Sequence, residues 1–355
     1  MLRVQIGLFE PVGLAANQML GPLLREVSRS FYLTLRVLPA AVRPQISLAY
    51  LLARTTDTIA DTELLPQNQR LAALAALRER IAGSSTVPLA LGEFAKNQGS
   101  PGERVLLQNC EGSLKLLADS PQPDRELMVQ VLQTIVSGQE LDLRRFGSGS
   151  SKDIVALASA DELDDYAYRV AGCVGEFWTR ICLAHLFAPA QVDTGRLLAN
   201  GIRFGKGLQL VNILRDLPRD LRMGRCYLPL DQLRADRLAP PDLLEVSNEA
   251  RARPIYEQWL ETAQAHLDAG WEYTNALPRG CIRVRLACAW PLLIGARTLQ
   301  LLRFGSFLDA ARRIKVPRSE VRGALWRSLL FYPFPGKWDS LYHRFAPEEP
   351  PRSTV

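Results

Sequence analysis

The sequence has few of the residues that build zinc centres, disulfide scaffolds or membrane spans. Its only histidines, His185, His266 and His343, are far apart and have no cysteine partners, so they form no zinc-binding pattern. The six cysteines are scattered without a CxxC, which favours free buried thiols in a reducing, cytoplasmic compartment. No stretch approaches the roughly 18 to 20 uninterrupted apolar residues of a membrane span. The N-terminal residues also lack a clear signal-peptide cleavage site.

The composition is that of a globular protein with a large core. The chain has 355 residues and is 47% hydrophobic, which is enough for one large domain or two ordinary ones. Its 43 basic residues exceed its 37 acidic residues, giving a net charge of +6. This balance suits an anionic partner, whether a phosphate ester, a membrane surface or nucleic acid, and does not choose among them.

Helical periodicity dominates the sequence, and alternating strand patterns are nearly absent. Apolar residues recur at three-to-four spacing over lengths that no strand would have. The clearest segments are 125–146, 161–186, 196–217, 256–277 and 283–304. Breaks between them are short, and no repeat or interdomain linker is evident. We therefore predict a single-domain, all-α bundle over residues 21–335, after an N-terminal extension (1–20) and before a Pro-rich, partly disordered tail (336–355).

Two pairs of aspartates stand out within apolar helical stretches. Asp57 and Asp61 occur in "DTIAD", and Asp216 and Asp220 occur in "RDLPRD". Carboxylates at i and i+4 project from one face of a helix, where both can reach the same cation or its waters. Mg²⁺ in proteins is typically held by a few carboxylates together with substrate phosphates. Each pair can therefore serve as half of a diphosphate site.

The second pair belongs to a longer polar stripe. Gln209, Asn212, Asp216 and Asp220 follow one another at offsets of three, four and four on an otherwise apolar helix. A buried polar stripe is costly unless a ligand fills it. Pro218 removes a backbone donor and disfavours helical geometry in the residue before it, so the helix is expected to kink or end before Asp220.

Chance is an alternative explanation for each pair, since aspartates four apart also occur on solvated helix faces. Asp161 and Asp165 in "DELDD" are read in that way, as an acid-rich helix start. The two chosen pairs differ because apolar residues flank them and arginines lie close by. These arginines are Arg54 for the first pair and Arg215, Arg219, Arg222 and Arg225 for the second. A guanidinium matches phosphate oxygens in shape and charge, which favours metal-bridged diphosphate.

Four motifs, in order, resemble those of the squalene/phytoene synthase family of head-to-head prenyltransferases. They are "SRSFYLTLRVLP" (28–39), "AYLLARTTDTIAD" (49–61), "YAYRVAGCVG" (166–175) and "LQLVNILRDLPRDLRMGRCYLP" (208–229). The resemblance covers roughly residues 20–305. It implies the all-α isoprenoid synthase fold, with a central cavity into which two aspartate-rich motifs project from opposing helices.

The resemblance also assigns roles by position. It implies that Asp57, Asp61, Asp216 and Asp220 are the metal-binding aspartates. Tyr166 is implied to be catalytic, through proton transfer. The implied substrate-binding residues are Ser28, Arg29, Ser30, Phe31, Tyr50, Arg54, Gln209, Asn212, Arg215 and Arg225. The sequence departs from the family at Ala60 and Arg219, where many members have Glu before the last aspartate of the motif.

The implied reaction joins two molecules of farnesyl diphosphate with the help of Mg²⁺, through presqualene diphosphate. The first motif and residues 137–146 are more similar to squalene synthases than to phytoene synthases, so we expect reduction by NADPH to squalene. The basic stretch "ARRIKVPRSEV" lies about where squalene synthases bind the cofactor phosphates, with Arg313 and Lys315 as the candidate residues. A solvated basic turn is an equally good interpretation of that stretch.

Other functions stay open at this point. Dehydrosqualene and phytoene synthases omit the NADPH step, and a presqualene diphosphate synthase stops after the first step. Some relatives are thought to be non-catalytic assembly factors, but the four aspartates and Tyr166 are present here. Nucleic-acid binding is disfavoured because the arginines alternate with aspartates. An insoluble product would favour peripheral association with a membrane, and the sequence leaves the oligomeric state open.

Overall fold

The computed structural model of the protein describes residues 21–28, 31–147 and 149–345, and the side chain of Phe31 is outside that description. Residues 21–27 are helical, and fifteen further α-helices follow in the described ranges. They are α1 (Phe31–Val37), α2 (Arg43–Ala60), α3 (Gln67–Ala82), α4 (Gly92–Lys96), α5 (Pro101–Gln108), α6 (Cys110–Ala118), α7 (Gln122–Phe146), α8 (Ala160–Ala167), α9 (Cys173–His185), α10 (Thr194–Arg222), α11 (Leu230–Ala235), α12 (Glu249–Ala276), α13 (Ile282–Phe304), α14 (Arg318–Phe331) and α15 (Pro335–His343).

The prediction of an all-α bundle is confirmed. Short 3₁₀ turns occupy Pro189–Gln191, Pro240–Leu244 and Val246–Asn248. The described part of the chain contains two strands, β1 (Val155–Ala156) and β2 (Arg225–Cys226), which pair in parallel. The predicted segment 161–186 forms one continuous helical rod, in which a π-helical turn (Tyr168–Gly172) joins α8 to α9. Such π turns often occur at functional sites, and this one lies two residues after Tyr166.

Helix α7 lies between the two parts of the bundle. It packs against α2 on one side and against the π turn and α9 on the other, and that rod in turn packs against α10. The core around α2 and α7 is built from residues such as Leu52 and Leu132, whereas α10 and α12 share a second core. Because α7 is interposed, its polar residues reach the space between α2 and α10.

Helix α10 approaches the rod closely because both helices carry glycine at the crossing. A Cβ at Gly175 would come within 1.8 Å of the Gly201 carbonyl oxygen, and a Cβ at Gly205 within 2.1 Å of the Ala171 carbonyl oxygen. No side chain fits at either position, so the backbones can pack directly against each other. The close contact holds α10, and therefore its aspartates, in a defined place relative to Tyr166.

Pro218 does not end helix α10, which continues to Arg222 and carries both Asp216 and Asp220. A proline has no N–H, so the carbonyl of Leu214 lacks its usual helical donor. The hydroxyl of Tyr256, on α12, donates a hydrogen bond to that carbonyl at 3.1 Å. Tyr256 is fully buried and stacks on Phe307 with ring centroids 3.8 Å apart. The neighbouring helix thus supplies the donor that Pro218 cannot.

The first part of the predicted C-terminal tail forms a helix that the sequence analysis did not anticipate. Residues 336–343 lie within helix α15, whose Trp338, Leu341 and Tyr342 are buried. The rings of Trp338 and Tyr342 stack on Trp271 at centroid distances of 5.2 and 5.1 Å. The sequence pattern missed this helix because prolines surround it. Residues 346–355, the rest of that tail, and the N-terminal extension 1–20 lie outside the described residues.

Among the described residues, no helix is long and apolar enough to cross a bilayer. All six cysteines are free thiols, and five of them are buried.

The contact between Pro218 and Tyr256 predicts a specific coupling in stability. Tyr256→Phe removes the hydroxyl but keeps the ring, so the Leu214 carbonyl stays buried without a donor at a cost of about 1–3 kcal/mol. In a Pro218→Ala background, residue 218 regains its N–H and the same change should cost at least about 1 kcal/mol less. Urea unfolding of the four proteins measures both costs. Equal costs in the two backgrounds would contradict this account of the helix.

Candidate active site

The first aspartate pair lies at the end of α2. Asp57 is on the last turn, and Asp61 follows the helix directly. The side-chain amide of Gln139, on α7, donates to Asp57 Oδ1 at 2.5 Å. Arg54 Nη1 lies 3.7 Å from Asp57 Oδ2, and the same guanidinium is paired with Glu103. Asp57 is therefore held by Gln139 from α7 and by Arg54 from its own helix.

The second pair lies on the last turns of α10. Arg215 donates two hydrogen bonds to Asp216, from Nε to Oδ1 at 2.9 Å and from Nη2 to Oδ2 at 2.5 Å. Asp220 lies one turn further along the same helix. Both side chains of the Arg215–Asp216 pair are partly exposed, so they can exchange this contact for a ligand.

A buried cluster between the two pairs links them. Asp142, on α7, accepts a hydrogen bond from the Tyr227 hydroxyl at 2.8 Å, and Arg225 Nη1 lies 3.5 Å from its other oxygen. The charge of Arg225 also opposes the pKa rise that burial causes in both Asp61 and Asp220. Arg225 therefore lies between the two pairs, as a shared cation.

Tyr166 completes this cluster. Its side chain is buried, its hydroxyl donates to the Tyr227 hydroxyl at 3.3 Å, and the two rings stack at 5.0 Å. The pKa of Tyr166 is raised well above its ordinary value, first by burial and then by the charge of Asp142, with Asp220 and Asp57 adding to the effect. One aspartate of each pair is thus close enough to act on the Tyr166 hydroxyl.

The carboxylates are crowded beyond what the nearby arginines neutralise. Burial, followed by the charges of Asp61 and Glu103, raises the pKa of Asp57 to about 7 in spite of Arg54. Burial and then Asp216 raise the pKa of Asp220 to about 7. The Asp57 side chain is still 39% exposed, so solvent screens part of this effect. Near neutral pH these positions favour a bound positive charge.

This crowding fits a divalent cation held jointly with diphosphate. No cluster of three or more His, Cys, Asp or Glu within the described ranges could bind a metal by itself. Each aspartate pair offers carboxylate oxygens only, and Mg²⁺ is commonly held by one or two carboxylates with waters and substrate phosphates. The donors present therefore suit Mg²⁺ in the presence of a diphosphate ligand.

The structure also locates the remaining predicted substrate-binding residues. The polar stripe does not lie in the core, because Asn212 is exposed and Gln209 is half-buried. The Tyr50 hydroxyl donates to the Val27 carbonyl at 3.4 Å. Ser28 is buried, and its hydroxyl donates a hydrogen bond to the backbone carbonyl of Leu24. Arg29, Ser30 and the side chain of Phe31 lie outside the described residues.

The two candidate cofactor residues lie away from this cluster in the chain. Arg313 and Lys315 are exposed on the connection between α13 and α14. Neither of them lines the charged cavity that includes Asp142 and Arg225, or the apolar cavity between the rod and α10. Two exposed cations could meet a phosphate group, but these residues form no enclosed site in the described structure.

The structure contains two cavities of opposite character, of which the charged one includes Asp142 and Arg225 of the site. One, of ≈ 450 Å³, is lined by the charged residues Glu63, Arg70, Asp142, Arg222 and Arg225. The other, of ≈ 170 Å³, lies between the rod, α10 and α13, and its walls are almost entirely apolar. They include Val170, Trp178, Phe204, Leu208 and Tyr273. Leu208 precedes Gln209 of the polar stripe, so apolar and polar surfaces meet along α10.

Several residues of the site were missed by the sequence analysis. Gln139 and Asp142 are three apart on α7, in a segment noticed only for its likeness to squalene synthases. Their signal was the same as that of the aspartate pairs, polar residues at helical spacing on an apolar helix. Tyr227 lies in the quoted motif, two residues after Arg225. Arg70 is buried, and its Nε has no hydrogen-bond partner among the described residues. Only the fold brings these four together.

Comparisons with known proteins identify relatives of this chain. The chain is 29% identical over 293 residues to the presqualene diphosphate synthase of Rhodopseudomonas palustris, covering 82% of this chain and 88% of that protein. It is also 29% identical over 318 residues to a bifunctional lycopene cyclase/phytoene synthase of Pyrenophora tritici-repentis. That match covers 86% of this chain but spans only 49% of the fungal protein, about half its length.

The fold has solved counterparts as well. The structure of TcSQS in complex with the ligand E5700 superposes with a TM-score of 0.74 at 19% identity, covering 93% of this chain and 91% of the other. The fold and the paired aspartates define an all-α protein of the isoprenoid synthase class. The profile of the squalene/phytoene synthase family matches residues 24–320, and the chain belongs to that family. The resemblance seen in the four motifs is thereby confirmed.

The raised pKa values of Asp57 and Asp220 predict how stability changes with pH. Between the ordinary aspartate value of 3.8 and about 7, the folded protein holds protons that the unfolded chain releases. In EDTA the protein should therefore lose stability as the pH rises through about 7, by about 1 kcal/mol per group after solvent screening.

Urea unfolding at acidic and mildly alkaline pH measures this loss, which Asp57→Asn and Asp220→Asn should each reduce. Asp161→Asn is the matched control, because Asp161 is an exposed member of an i, i+4 pair at the start of α8. If all three variants kept the pH dependence of the parent protein, the crowding of the carboxylates would be refuted.

Proposed function

We propose that this protein condenses two molecules of farnesyl diphosphate head to head, through presqualene diphosphate, and reduces the product to squalene with NADPH. The observation that carries the proposal is the position of the Tyr166 hydroxyl, which is linked through Tyr227 to Asp142 and lies within electrostatic reach of both aspartate pairs. An apolar cavity lies between α10 and the rod that carries Tyr166. This arrangement combines diphosphate binding, proton transfer and room for a hydrocarbon chain.

The diphosphate end of the substrate would bind at the aspartate pairs, with Mg²⁺ held by Asp57, Asp61, Asp216 and Asp220. When bound, Mg²⁺ neutralises the charge that develops on the departing diphosphate. Arg54, Arg215 and Arg225 add guanidinium donors in the same region. The C–O bond of one farnesyl group breaks, inorganic diphosphate leaves, and the double bond of the second farnesyl group forms the new C–C bond.

Formation of the cyclopropane ring then requires the loss of one proton, and Tyr166 is our candidate to receive it. Because its pKa is raised, Tyr166 is a neutral phenol that donates its own proton towards Tyr227. Its oxygen can accept the substrate proton while its hydrogen moves to Tyr227 and from there to Asp142. Burial raises the pKa of Asp142, so this carboxylate is suited to hold a proton.

The apolar walls have a second role. A carbocation would react with water within its lifetime, so the farnesyl chain must be enclosed during ionisation. Residues such as Trp178, Phe204 and Tyr273 supply aromatic faces around the apolar cavity. Aromatic faces attract positive charge, which would lower the energy of a nearby cation.

The final step distinguishes this proposal from its alternatives. The C–O bond of presqualene diphosphate would break, the second diphosphate would leave, and NADPH would supply a hydride to the resulting cation. Arg313 and Lys315 are the candidate residues for the phosphates of NADPH. Dehydrosqualene and phytoene synthases lose a proton instead, and the named relatives make phytoene or presqualene diphosphate. We further propose that the enzyme works in the cytoplasm at a membrane surface, because its product is a hydrocarbon.

Product analysis tests the proposal directly. Purified protein with farnesyl diphosphate and Mg²⁺ in detergent micelles should yield squalene only when NADPH is added, as identified by mass spectrometry of the extract. Asp57→Asn and Asp216→Asn should lower the turnover number about 10²–10³-fold, because each removes charge at the departing diphosphate. Asp161→Asn should leave turnover unchanged.

Other products would move the assignment. Dehydrosqualene regardless of NADPH, or phytoene from geranylgeranyl diphosphate, would replace squalene synthesis by a non-reductive reaction. Presqualene diphosphate as the only product would restrict the enzyme to the first step. Absence of every condensed product would refute the proposed function.

The proton-transfer role predicts a graded loss of activity. Tyr166→Phe should lower the rate of presqualene diphosphate formation about 10²–10⁴-fold with little change in the KM for farnesyl diphosphate. Tyr227→Phe should lower this rate by a smaller factor, because Tyr166 keeps its position and loses only its hydrogen-bonded link to Asp142. Tyr342→Phe is the matched control, since it removes a hydroxyl bonded to Asp268 at 2.8 Å, outside the site. A rise in KM without a fall in the rate of presqualene diphosphate formation would show that Tyr166 binds the substrate and does not transfer the proton.

A further inference from the structure

Helix α14 turns three large apolar side chains, those of Trp326, Leu329 and Leu330, away from the protein. Ala324 and Ser328 are buried on its inner side, where the Trp290 indole N–H of α13 donates to the Ser328 hydroxyl at 2.9 Å. Trp326 and Leu330, on the outer side, are 72% and 67% exposed. This orientation is the reverse of that of an ordinary surface helix, which buries its large apolar residues.

The exposed apolar residues are contiguous. Trp326 and Leu330 are one turn apart, Leu329 lies beside them at 45% exposure, and Phe334 follows after the helix at 52%. We call Trp326, Leu329, Leu330 and Phe334 the α14 face. Scattered apolar residues are normal on a protein surface, but a contiguous group on one helix indicates a site of interaction.

Basic side chains surround the α14 face. Arg318 and Arg322 lie on the preceding turns, Arg327 is next to Trp326, and Lys337 Nζ lies 5.0 Å from the centre of the Phe334 ring. All four are exposed, and within the described part of the chain none of them forms an ion pair with an acidic residue. The acidic residue on α14, Glu320, is bonded to Arg297 at 2.6 Å. The rim is therefore strongly positive.

This combination matches the interfacial zone of an anionic lipid bilayer. Trp, Leu and Phe partition into the boundary between headgroups and acyl chains, and Arg and Lys contact the lipid phosphates. A second copy of the chain would be a poorer occupant, because a symmetric contact would bring two positive rims together.

We propose that the α14 face docks on the surface of an anionic membrane, with Trp326 and Leu330 inserted at the headgroup boundary. The inference rests on the proposed function in one respect: the proposed reaction supplies the reason for docking, which is the transfer of an apolar product to lipid. Binding itself depends on the residues of the α14 face and its rim. It can therefore be tested without substrate.

The test is flotation of the full-length protein with vesicles of phosphatidylglycerol and phosphatidylcholine, compared with pure phosphatidylcholine. We expect binding to the anionic vesicles alone, weakened at high salt. Leu330→Glu should abolish it, and Arg327→Gln should lower the partition coefficient roughly fivefold, as expected for one basic residue near the surface. Val87→Glu is the matched control, since Val87 is 70% exposed on the connection between α3 and α4.

Each other outcome overturns the proposal. Equal binding of Leu330→Glu and the parent protein would mean that another surface binds lipid. A Leu330→Glu variant that changes the oligomeric mass instead of vesicle binding would make the α14 face a contact between copies. Turnover in detergent micelles, measured on the same variants, separates these results from a failure of the proposed function.

Discussion

The arrangement of this protein depends on holding two pairs of aspartates in partly buried positions, against the cost of burial and the repulsion within each pair. Arg54, Arg215 and Arg225 supply positive charge near the aspartates. This charge does not offset the cost of ionising the carboxylates, because the pKa values of Asp57 and Asp220 are raised to about 7. The remaining free-energy cost is met by packing, because α2 and α10 are each anchored in a large apolar core. A site built in this way favours a cationic ligand before any substrate arrives.

The packing that holds the aspartates is itself unusual in two places. Glycines let α10 contact the α8–α9 rod through backbone atoms, and Tyr256 satisfies the carbonyl that Pro218 leaves without a donor. Both features act on α10, the helix that carries the second aspartate pair. Since Pro218 lies between Asp216 and Asp220, the hydroxyl of Tyr256 stabilises the helix at the point where the site needs it intact.

The predictions made from sequence succeeded where local rules apply. Apolar periodicity located helices α7, α10, α12 and α13, and most of their ends were predicted to within a few residues. The ordered motifs identified the family. They failed where a contact between distant residues decides the outcome. The end of α10 was uncertain because the donor from Tyr256 lies on another helix. Helix α15 was not predicted, because its stability comes from stacking on Trp271.

The sequence by itself determined the helical class, the family and the two aspartate pairs, because these depend on residue type and on spacing along a helix. Tertiary structure alone decided which side chains meet. Asp142, Tyr166 and Tyr227 are contributed by separate segments, and no local pattern records that they form one hydrogen-bonded chain. The outward orientation of Trp326 and Leu330 was likewise decided by packing, since the buried Ser328 hydroxyl, bonded to Trp290, sets which side of α14 faces inward.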